Sequence, residues 1–180
     1  MRSARLEYRI AEPDDAAALA ALMNDAEVRR FLDRRVFPIG VESERRWVER
    51  MQKNAEERAD LVLVFGVAGR DHIAGVTGLH HLDWINRSTE WGIALRPDAW
   101  GHGYGAEAAR QILAHAFLHL NLNAVRLRVN RTHERAIRCY EKVGFVEEGV
   151  MRQAAFVEGV YQDVLMMSVL REEWEKQGRE

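Results

Sequence analysis

The sequence predicts an α+β (mixed α/β) fold, in which a single domain of residues 1–180 carries a sheet flanked by helices. Two observations predict it. Between residues 60 and 95, three apolar segments separated by short turns indicate consecutive antiparallel strands. Downstream, strands at 89–95 and 124–129 each lead into a segment with helical spacing. A chain of 180 residues with 47% hydrophobic residues is long enough to bury a sizeable core.

Strand and helix patterns alternate in the first half of the chain. Leu6–Ile10 is a short strand, and Pro13 suits the first turn of the next helix, where its missing N–H is not needed. Helical spacing recurs briefly at 28–32 and again over 42–57. The apolar segment 60–68 then indicates a central strand, which a turn at 69–72 joins to a second strand at 73–82.

Residues 89–120 are predicted to form a strand, a glycine-rich turn and a helix. Pro97 ends the strand because it has no N–H for a ladder, and Ile112 and Ala116 then mark the apolar face of the helix. Glycines leave backbone N–H groups accessible at a helix start, where the helix dipole favours an anion. The turn contains Gly101, Gly103 and Gly105, which predicts a phosphate-binding site.

The turn GHGYGA also fits the dinucleotide-binding pattern G-x-G-x-x-G/A. Three features argue against that interpretation. The turn follows the fourth predicted strand and not the first, and no acidic ribose ligand lies between Asn121 and Val129. In addition, no second βαβ half completes such a site. A turn with a purely structural role is the other alternative.

A second pattern, NRTHERAIRCYEKVGF, occupies residues 130–145. Thr132 is expected to cap a short helix, and Gly144 is expected to end it in a left-handed conformation. Ala136 and Tyr140 are four residues apart and therefore share one helix face.

Together the two patterns resemble the GNAT superfamily of acetyl-CoA-dependent N-acetyltransferases. The resemblance rests on an Asn-x5-Ala-x3-Tyr-Glu-Lys-x-Gly-Phe segment downstream of a Gly-x-Gly-x-Gly helix start, and it covers nearly the whole chain. It is nearest to the branch of ribosomal-protein N-terminal and spermidine acetyltransferases. It implies a seven-stranded mixed sheet with about four flanking helices. In that sheet the strands at 89 and 124 run side by side and then splay apart to admit the pantetheine arm.

The resemblance also implies the residues that bind acetyl-CoA. Amides of the turn would bind the pyrophosphate, a strand edge would pair with the pantetheine, and the second helix would line the opposite wall. The turn residues are Trp100, Gly101, His102, Gly103, Tyr104, Gly105 and Ala106. The strand-edge residues are Ile93, Ala94 and Leu95, and the opposite wall consists of Asn130, His133, Ala136 and Tyr140. His102 replaces the usual Lys or Arg, which predicts weaker or more pH-sensitive cofactor binding. His133 replaces an Asn or Ser that touches the cofactor in many relatives.

For the reaction, the resemblance implies direct attack of a primary amine on the thioester in a ternary complex. Tyr140 is the expected general acid, because a phenol with a reference pKa of about 10 is still protonated at neutral pH. Its alternative is a core aromatic with a satisfied hydroxyl. Glu90 is the expected base, acting directly or through water, and its alternative is an ion pair with Arg87.

The acceptor is expected to be a protein or peptide N-terminal amine, with a polyamine-like small molecule as the alternative. Specificity is expected to reside in segments 24–40 and 156–161. Acidic and basic side chains offset each other in these segments, which favours a peptide N-terminal amine or a neutral small amine. They are Asp25, Glu27, Asp33 and Glu158 against Arg29, Arg30, Arg34 and Arg35. A module that binds CoA without turnover is an alternative of a different class.

Composition limits the other functions. The net charge of −2 argues against a nucleic-acid partner, and no run of 18 apolar residues indicates a membrane span. The lone Cys139 permits no disulfide and is expected to be a buried thiol. With no apolar signal core near the start, these features predict a cytoplasmic protein.

Several side chains have further interpretations. Trp47, Trp91 and Trp174 are expected to pack in the core, whereas Trp84 is a candidate for an acceptor-cleft wall or for the contact of a homodimer. Two histidine clusters have spacings compatible with a metal, but no third or fourth ligand is evident, so no metal is expected. The clusters are His80-His81-x-Asp83 and His115-x3-His119.

Overall fold

Seven strands form one mixed sheet in the order β1-β2-β3-β4-β5-β7-β6 in the computed structural model. The structure describes residues 1–32, 37–70 and 72–177. The strands are β1 (Leu6–Ile10), β2 (Leu61–Val67), β3 (Ile73–Asp83), β4 (Ser88–Leu95), β5 (Ala124–Asn130), β6 (Val146–Val157) and β7 (Val160–Leu170). The seven-stranded sheet that the resemblance implied is therefore confirmed.

The described residues contain six α-helices, against about four expected. They are α1 (Ala16–Asn24), α2 (Ala26–Arg29), α3 (Val41–Glu56), α4 (Tyr104–Ala114), α5 (Glu134–Glu141) and α6 (Arg171–Gln177). The short α2 and α6 account for the difference. A π-helical turn at His115–His119 continues α4. None of the described helices is long and apolar enough to cross a membrane.

The start of α5 differs from the prediction. The helix begins at Glu134, and its N-cap is His133, not Thr132. The Thr132 hydroxyl instead hydrogen-bonds Gln162 Oε1 on β7, at 2.7 Å, because β7 lies beside the end of β5. Gly144 has a φ of +104°, as expected for a glycine that follows a helix end.

Apolar side chains cover both faces of the sheet. On one face, α4 and α6 pack on a cluster that includes Trp91, Ile112 and Phe117. On the other face, α1 and α3 pack on a cluster that includes Val64 and Ala94. Strand β4 contributes to both clusters because successive side chains point to opposite faces. Packing on both faces therefore holds β4, the strand beside the candidate site, in place.

Some sequence predictions lie outside the described residues. They concern Asp33, Arg34 and Arg35 in the acceptor segment, and Asp71 in the turn between β2 and β3.

Candidate active site

Strands β4 and β5 are parallel neighbours over only three register pairs. Ser88, Thr89 and Glu90 pair with residues 124–126, and within the described residues the ladder does not continue beyond Glu90. On their outer sides, β4 remains paired with β3 to Leu95, and β5 remains paired with β7 to Asn130. The two strands therefore diverge and leave their inner backbone edges unpaired, as the resemblance implied.

A cavity of about 590 Å³ occupies the gap between the two strands. It is lined by β4, by the glycine-rich turn, by the end of β5 and by α5. Of the residues expected to bind the cofactor, all but His102 line it: Ile93, Ala94, Leu95, Trp100, Gly101, Gly103, Tyr104, Gly105, Ala106, Asn130, His133, Ala136 and Tyr140. Glu90 lines it as well. Tertiary folding thus brings together two patterns that are separated along the chain.

The glycine-rich turn has the backbone geometry that its sequence predicts. Gly101 and Gly103 both have a φ of +79°, which L-residues other than glycine rarely adopt. Gly103 is the N-cap of α4, so the first amides of the helix face the cavity end. The Trp100 indole N–H donates to the Leu95 carbonyl at 3.0 Å and ties the turn to the end of β4.

Permanent cations reach this turn from other elements. Arg5, just before β1, donates to the His102 carbonyl at 3.0 Å, and its guanidinium lies 4.9 Å from the centre of the Tyr104 ring. Glu107 holds Arg5 there through an ion pair of 2.8 Å. On the other side, the Arg135 guanidinium lies 4.0 Å from the centre of a Trp100 ring.

Arg135 therefore lies beside the turn as a permanent cation, while the expectation that His102 makes cofactor binding weaker or more pH-sensitive stays a prediction. The His102 side chain is exposed and points away from the cavity lining, with its ring 5.5 Å from that of Tyr104. Sequence spacing gave no signal for Arg5, because Arg5 precedes the turn by about a hundred residues along the chain. Arg135 lies within the pattern at residues 130–145, but it occupies one of the variable positions of the Asn-x5-Ala-x3-Tyr-Glu-Lys-x-Gly-Phe motif.

Tyr140 projects from α5 into an aromatic cluster at the floor of the cavity. Its ring meets Trp91 edge to face at 5.4 Å, and the Phe145 ring centre is 5.9 Å away. Burial, and secondarily the neighbouring Cys139, raises the pKa of the Tyr140 phenol well above its ordinary value. The phenol is therefore fully protonated at neutral pH, and its hydroxyl is a proton donor.

Trp91 is itself fixed by a buried hydrogen bond. Its indole N–H donates to the Thr77 hydroxyl at 2.8 Å, and that hydroxyl donates to the Gly92 carbonyl at 3.0 Å. Both Trp91 and Thr77 are almost fully buried. The packing role predicted for Trp91 is confirmed, and the indole also sets the position of the Tyr140 ring.

Glu90 forms an ion pair with Arg128 on β5, not with Arg87. Arg128 Nε and Nη2 both donate to Glu90 Oε1, at 3.0 and 2.9 Å. The reason is the parallel register, in which Glu90 faces Arg126 and Arg128 follows on the same face where the strands begin to diverge. Both side chains remain about a third exposed, so the pair is open to solvent and to the cavity.

His133 lines the cavity, but its ring is stacked on Phe31 from the segment after α2, with centroids 3.7 Å apart. Burial lowers its pKa to about 4, with a smaller contribution from Arg135 and Arg30, so the imidazole is neutral at pH 7. The stack joins the acceptor segment to the start of α5. The acceptor segment around Phe31 and the start of α5 therefore each contribute to one wall of the cavity.

Cys139 also lines the cavity and is only partly buried, which differs from the buried thiol expected. Burial raises its pKa, so the thiol is protonated at neutral pH and is a poor nucleophile. The other predicted tryptophans behave differently from one another: Trp47 and Trp174 pack against the core, whereas Trp84 is about half exposed and donates to the Arg58 carbonyl. Trp84 does not line the cavity.

Neither histidine cluster gathers further ligands. The His115 and His119 rings are 5.4 Å apart, and the His80 and His81 rings are 6.5 Å apart. Within the described ranges, no group of three or more His, Cys, Asp or Glu side chains could hold a metal ion.

Comparison with known proteins agrees with this geometry. Residues 5–146 match the acetyltransferase (GNAT) domain family. A putative ribosomal N-acetyltransferase, YdaF of Bacillus subtilis, is 30% identical over 173 residues, which cover 94% of this chain and 93% of that protein. The spermidine N(1)-acetyltransferase of Vibrio cholerae is 28% identical over 173 residues, with 96% of each chain covered.

A solved structure extends the likeness to three dimensions. The Vibrio cholerae spermidine N-acetyltransferase in complex with CoA and spermine superposes with a TM-score of 0.85 at 26% identity, covering 96% of this chain and 99% of that chain. A cleft with diverging strands, a glycine-rich helix start and a partly buried tyrosine fits an acyltransferase that uses a thioester. The chain belongs to the GNAT acetyltransferase family and is an acetyl-CoA-dependent N-acetyltransferase.

Proposed function

We propose that this enzyme acetylates the α-amino group at a protein or peptide N terminus. The observation that supports the proposal is the charge of the cavity. Among the described residues that line it, Glu90 is the one acid, and Arg128 already pairs with it. Four lining residues are basic: Arg128, Arg135, Arg138 and Lys142. A polyamine carries several positive charges and needs converging carboxylates, whereas a peptide N terminus needs to bring only one amine.

The cofactor fits the chain's own groups. The unpaired inner edge of β4 at Ile93, Ala94 and Leu95 suits an extended amide-containing arm, and the amides of residues 100–106 suit a diphosphate. Arg135 is placed to attract the same anion, and Asn130, His133 and Ala136 form the opposite wall. When bound, acetyl-CoA supplies an activated acetyl group.

The proposed proton transfers use Tyr140 and Glu90. Tyr140 keeps its proton at neutral pH and donates it to the sulfur of the departing thiol. Glu90 faces the acceptor end of the cavity, attracts the positive charge of the incoming ammonium and takes its proton directly or through water. An α-amine has a pKa of about 7.8, well below the value of about 10 for an alkyl amine, so little basicity is required of this group.

A small polyamine is the second candidate. It is favoured by the likeness to spermidine acetyltransferases of Vibrio cholerae and of Escherichia coli, the latter 26% identical over 169 residues. A dodecameric structure of the Vibrio cholerae enzyme also suggests that this chain self-associates, which light scattering would test. We place the reaction in the cytoplasm, because the chain has a single cysteine and so no internal disulfide.

The test is thiol release from acetyl-CoA with a panel of amines. The panel contains short peptides with free N termini, spermidine, an aminoglycoside and free amino acids, and the control is the same peptide with a blocked N terminus. The free peptides are expected to give the highest kcat/KM, and the blocked peptide none. A higher kcat/KM with spermidine would favour the polyamine candidate. Thermal stabilisation by acetyl-CoA without turnover on any amine would instead favour a non-catalytic CoA-binding module.

A further inference from the structure

His80 lies on the same face of the sheet as Glu90, directly opposite it. The register of β3 and β4 pairs His80 with Glu90 and Gly78 with Gly92. Since residues paired across antiparallel strands point to one face, the His80 ring and the Glu90 carboxylate are neighbours. Arg128, two residues beyond the register partner of Glu90 on β5, donates to Glu90 on the same face. Three ionisable groups therefore cross the sheet at the point where β4 and β5 begin to diverge.

Two glycines make room for the His80 ring beside the cavity. Its Nε2 lies 3.0 Å from the place where a Cβ of Gly78 would stand and 3.7 Å from the corresponding place at Gly92. Gly92 lines the cavity, as does Glu90. A Cβ at Gly78 would crowd the imidazole, whereas a Cβ at Gly92 would make only an ordinary van der Waals contact with it. The ring thus lies over these two glycines, next to Gly92 and opposite Glu90, which both line the cavity, although His80 itself is not one of the lining residues.

A carboxylate is placed behind the other ring nitrogen. His80 Nδ1 is 3.8 Å from Asp60 Oδ1. Asp60 is held in turn by the His81 backbone N–H at 2.8 Å and by the Asn54 side-chain amide. A fixed carboxylate beside Nδ1 favours the tautomer that carries its proton there and stabilises the imidazolium when a second proton arrives. Nε2 is then left with a free lone pair.

We propose that His80 is the final acceptor of the proton that the amine loses, and that it receives this proton at Nε2 from the amine, from Glu90 or from an intervening water. This inference rests on the proposed function. Glu90 alone is poorly suited to keep the proton, because both N–H groups of the Arg128 fork donate to its Oε1 and stabilise the ionised carboxylate. His80 makes no such pair with a permanent cation in the described part of the chain.

The step balances. The amine nitrogen forms a bond with the thioester carbonyl carbon, the carbon–sulfur bond breaks, and the electron pair leaves on sulfur, which takes the Tyr140 proton. The N–H proton passes to His80 Nε2. Solvent then removes the proton from the imidazolium, which is about a third exposed, and restores the phenol.

The titration of His80 suits this role. Burial lowers its pKa below the ordinary value, although Asp60 and Glu90 act in the opposite direction and His81 adds to the lowering. The imidazole is therefore neutral at pH 7 and can accept a proton. Because the neutral form is needed, the rate is expected to fall as the pH drops through a value below about 6.5.

The experiment compares His80→Gln with His81→Gln, the adjacent and exposed histidine, on the best acceptor of the amine panel. His80→Gln is expected to lower kcat/KM for the amine about 100-fold, the lower end of what a positioned acid or base contributes. It should also remove the titration below a pH of about 6.5 from the kcat profile, while the decline of kcat/KM that comes from protonation of the free amine remains. The KM for acetyl-CoA and the thermal stabilisation by acetyl-CoA should stay unchanged. His81→Gln should behave as the wild type, and added imidazole should restore part of the activity of His80→Gly.

Two results would overturn the proposal while leaving the proposed function intact. One is a His80→Gln enzyme whose rate and pH profile equal those of His81→Gln. The other is a loss of activity that is accompanied by loss of acetyl-CoA binding and is not rescued by imidazole, which would mean a structural role. If the wild type binds acetyl-CoA but transfers acetyl to no amine, the proposed function fails, and the role of His80 fails with it.

Discussion

The phenol ring of Tyr140 and the indole of Trp91 meet edge to face, with centroids 5.4 Å apart and ring planes at 79°. Tyr140 comes from α5 and Trp91 from β4, the two elements on opposite sides of the cleft. The contact therefore fixes the proposed acid relative to the strand expected to hold the thioester. Geometry of this kind is what a proton donor needs, because it acts only within hydrogen-bonding reach of the departing atom.

Tyr140→Phe is expected to lower kcat about 100-fold, because it removes the proposed proton donor. The KM for acetyl-CoA should change little, since the phenyl ring keeps its packing against Trp91 and Phe145. Steady-state kinetics measure both constants. Tyr8→Phe is the control, because that ring packs against Phe65 in the core and lies outside the cavity. Full activity in Tyr140→Phe would remove Tyr140 from the reaction.

Thr77→Val should destabilise the protein by about 1–3 kcal/mol, because it leaves the buried Trp91 N–H without an acceptor. Thr77→Ser keeps the hydroxyl and is the matched control. Denaturant unfolding gives the free energies, and kinetics on the same samples should show a lower kcat for the valine variant as Trp91 and Tyr140 lose their fixed positions. Equal unfolding free energies for the two variants would show that this hydrogen bond contributes nothing.

Gly101→Ala tests the backbone of the turn. At a φ of +79° an alanine costs about 1–2 kcal/mol, although no atom lies within 4 Å of the new Cβ. The variant should relax the turn and raise the KM for acetyl-CoA. Gly40→Ala is the control, because Gly40 is equally uncrowded but has a φ of −78°. Identical melting temperatures and KM values for the two variants would argue against a strained, functional turn.

Arg135→Gln should raise the KM for acetyl-CoA about tenfold, which corresponds to about 1.4 kcal/mol, because a permanent cation beside the turn is lost. The dependence of KM on salt should weaken at the same time. His102→Lys should have a much smaller effect, since that side chain points to solvent. The exposed Arg152 on β6 provides the charge-matched control, Arg152→Gln. If the KM for acetyl-CoA changed more in His102→Lys than in Arg135→Gln, the expectation that His102 limits cofactor binding would be supported.

The ion pair between Asp15 and Arg9 predicts how the stability of the fold changes in acid. Two hydrogen bonds of 2.6 and 2.7 Å from Arg9 lower the pKa of the Asp15 carboxyl below its ordinary value. The ion pair therefore stabilises the fold above the unfolded-state pKa of about 3.9, and this contribution is lost as the pH falls through the lower folded-state value.

The melting temperature of Asp15→Asn should accordingly lie below that of the wild type at neutral pH. The difference should shrink below a pH of about 4, where the wild-type carboxyl also becomes neutral. Asp14→Asn serves as the control, since the Asp14 side chain is fully exposed. A difference between Asp15→Asn and wild type that does not vary with pH would mean that the Arg9 ion pair is not its cause.

Local patterns were sufficient for much of this protein. The bounds of β1 agree with the sequence prediction, and the positive φ of Gly101, Gly103 and Gly144 follows from residue type. The helix cap was predicted wrongly because Thr132 has a partner on β7, which local spacing cannot reveal. The same limit applies to Glu90, whose partner was sought nearby at Arg87 and lies instead on β5.

The sequence by itself determined the family, the seven-stranded fold and the glycine-rich turn, because they follow from hydrophobic periodicity, from glycine conformation and from motifs within short segments. Only the tertiary structure decided which charges surround the cleft. Arg128 lines the cleft from β5, Arg5 contacts the glycine-rich turn from before β1, and His80 lies opposite Glu90 on β3. Each of these placements depends on strand order and register. Electrostatic interactions act through space, so the arrangement of charges around the cleft exists only once the chain has folded.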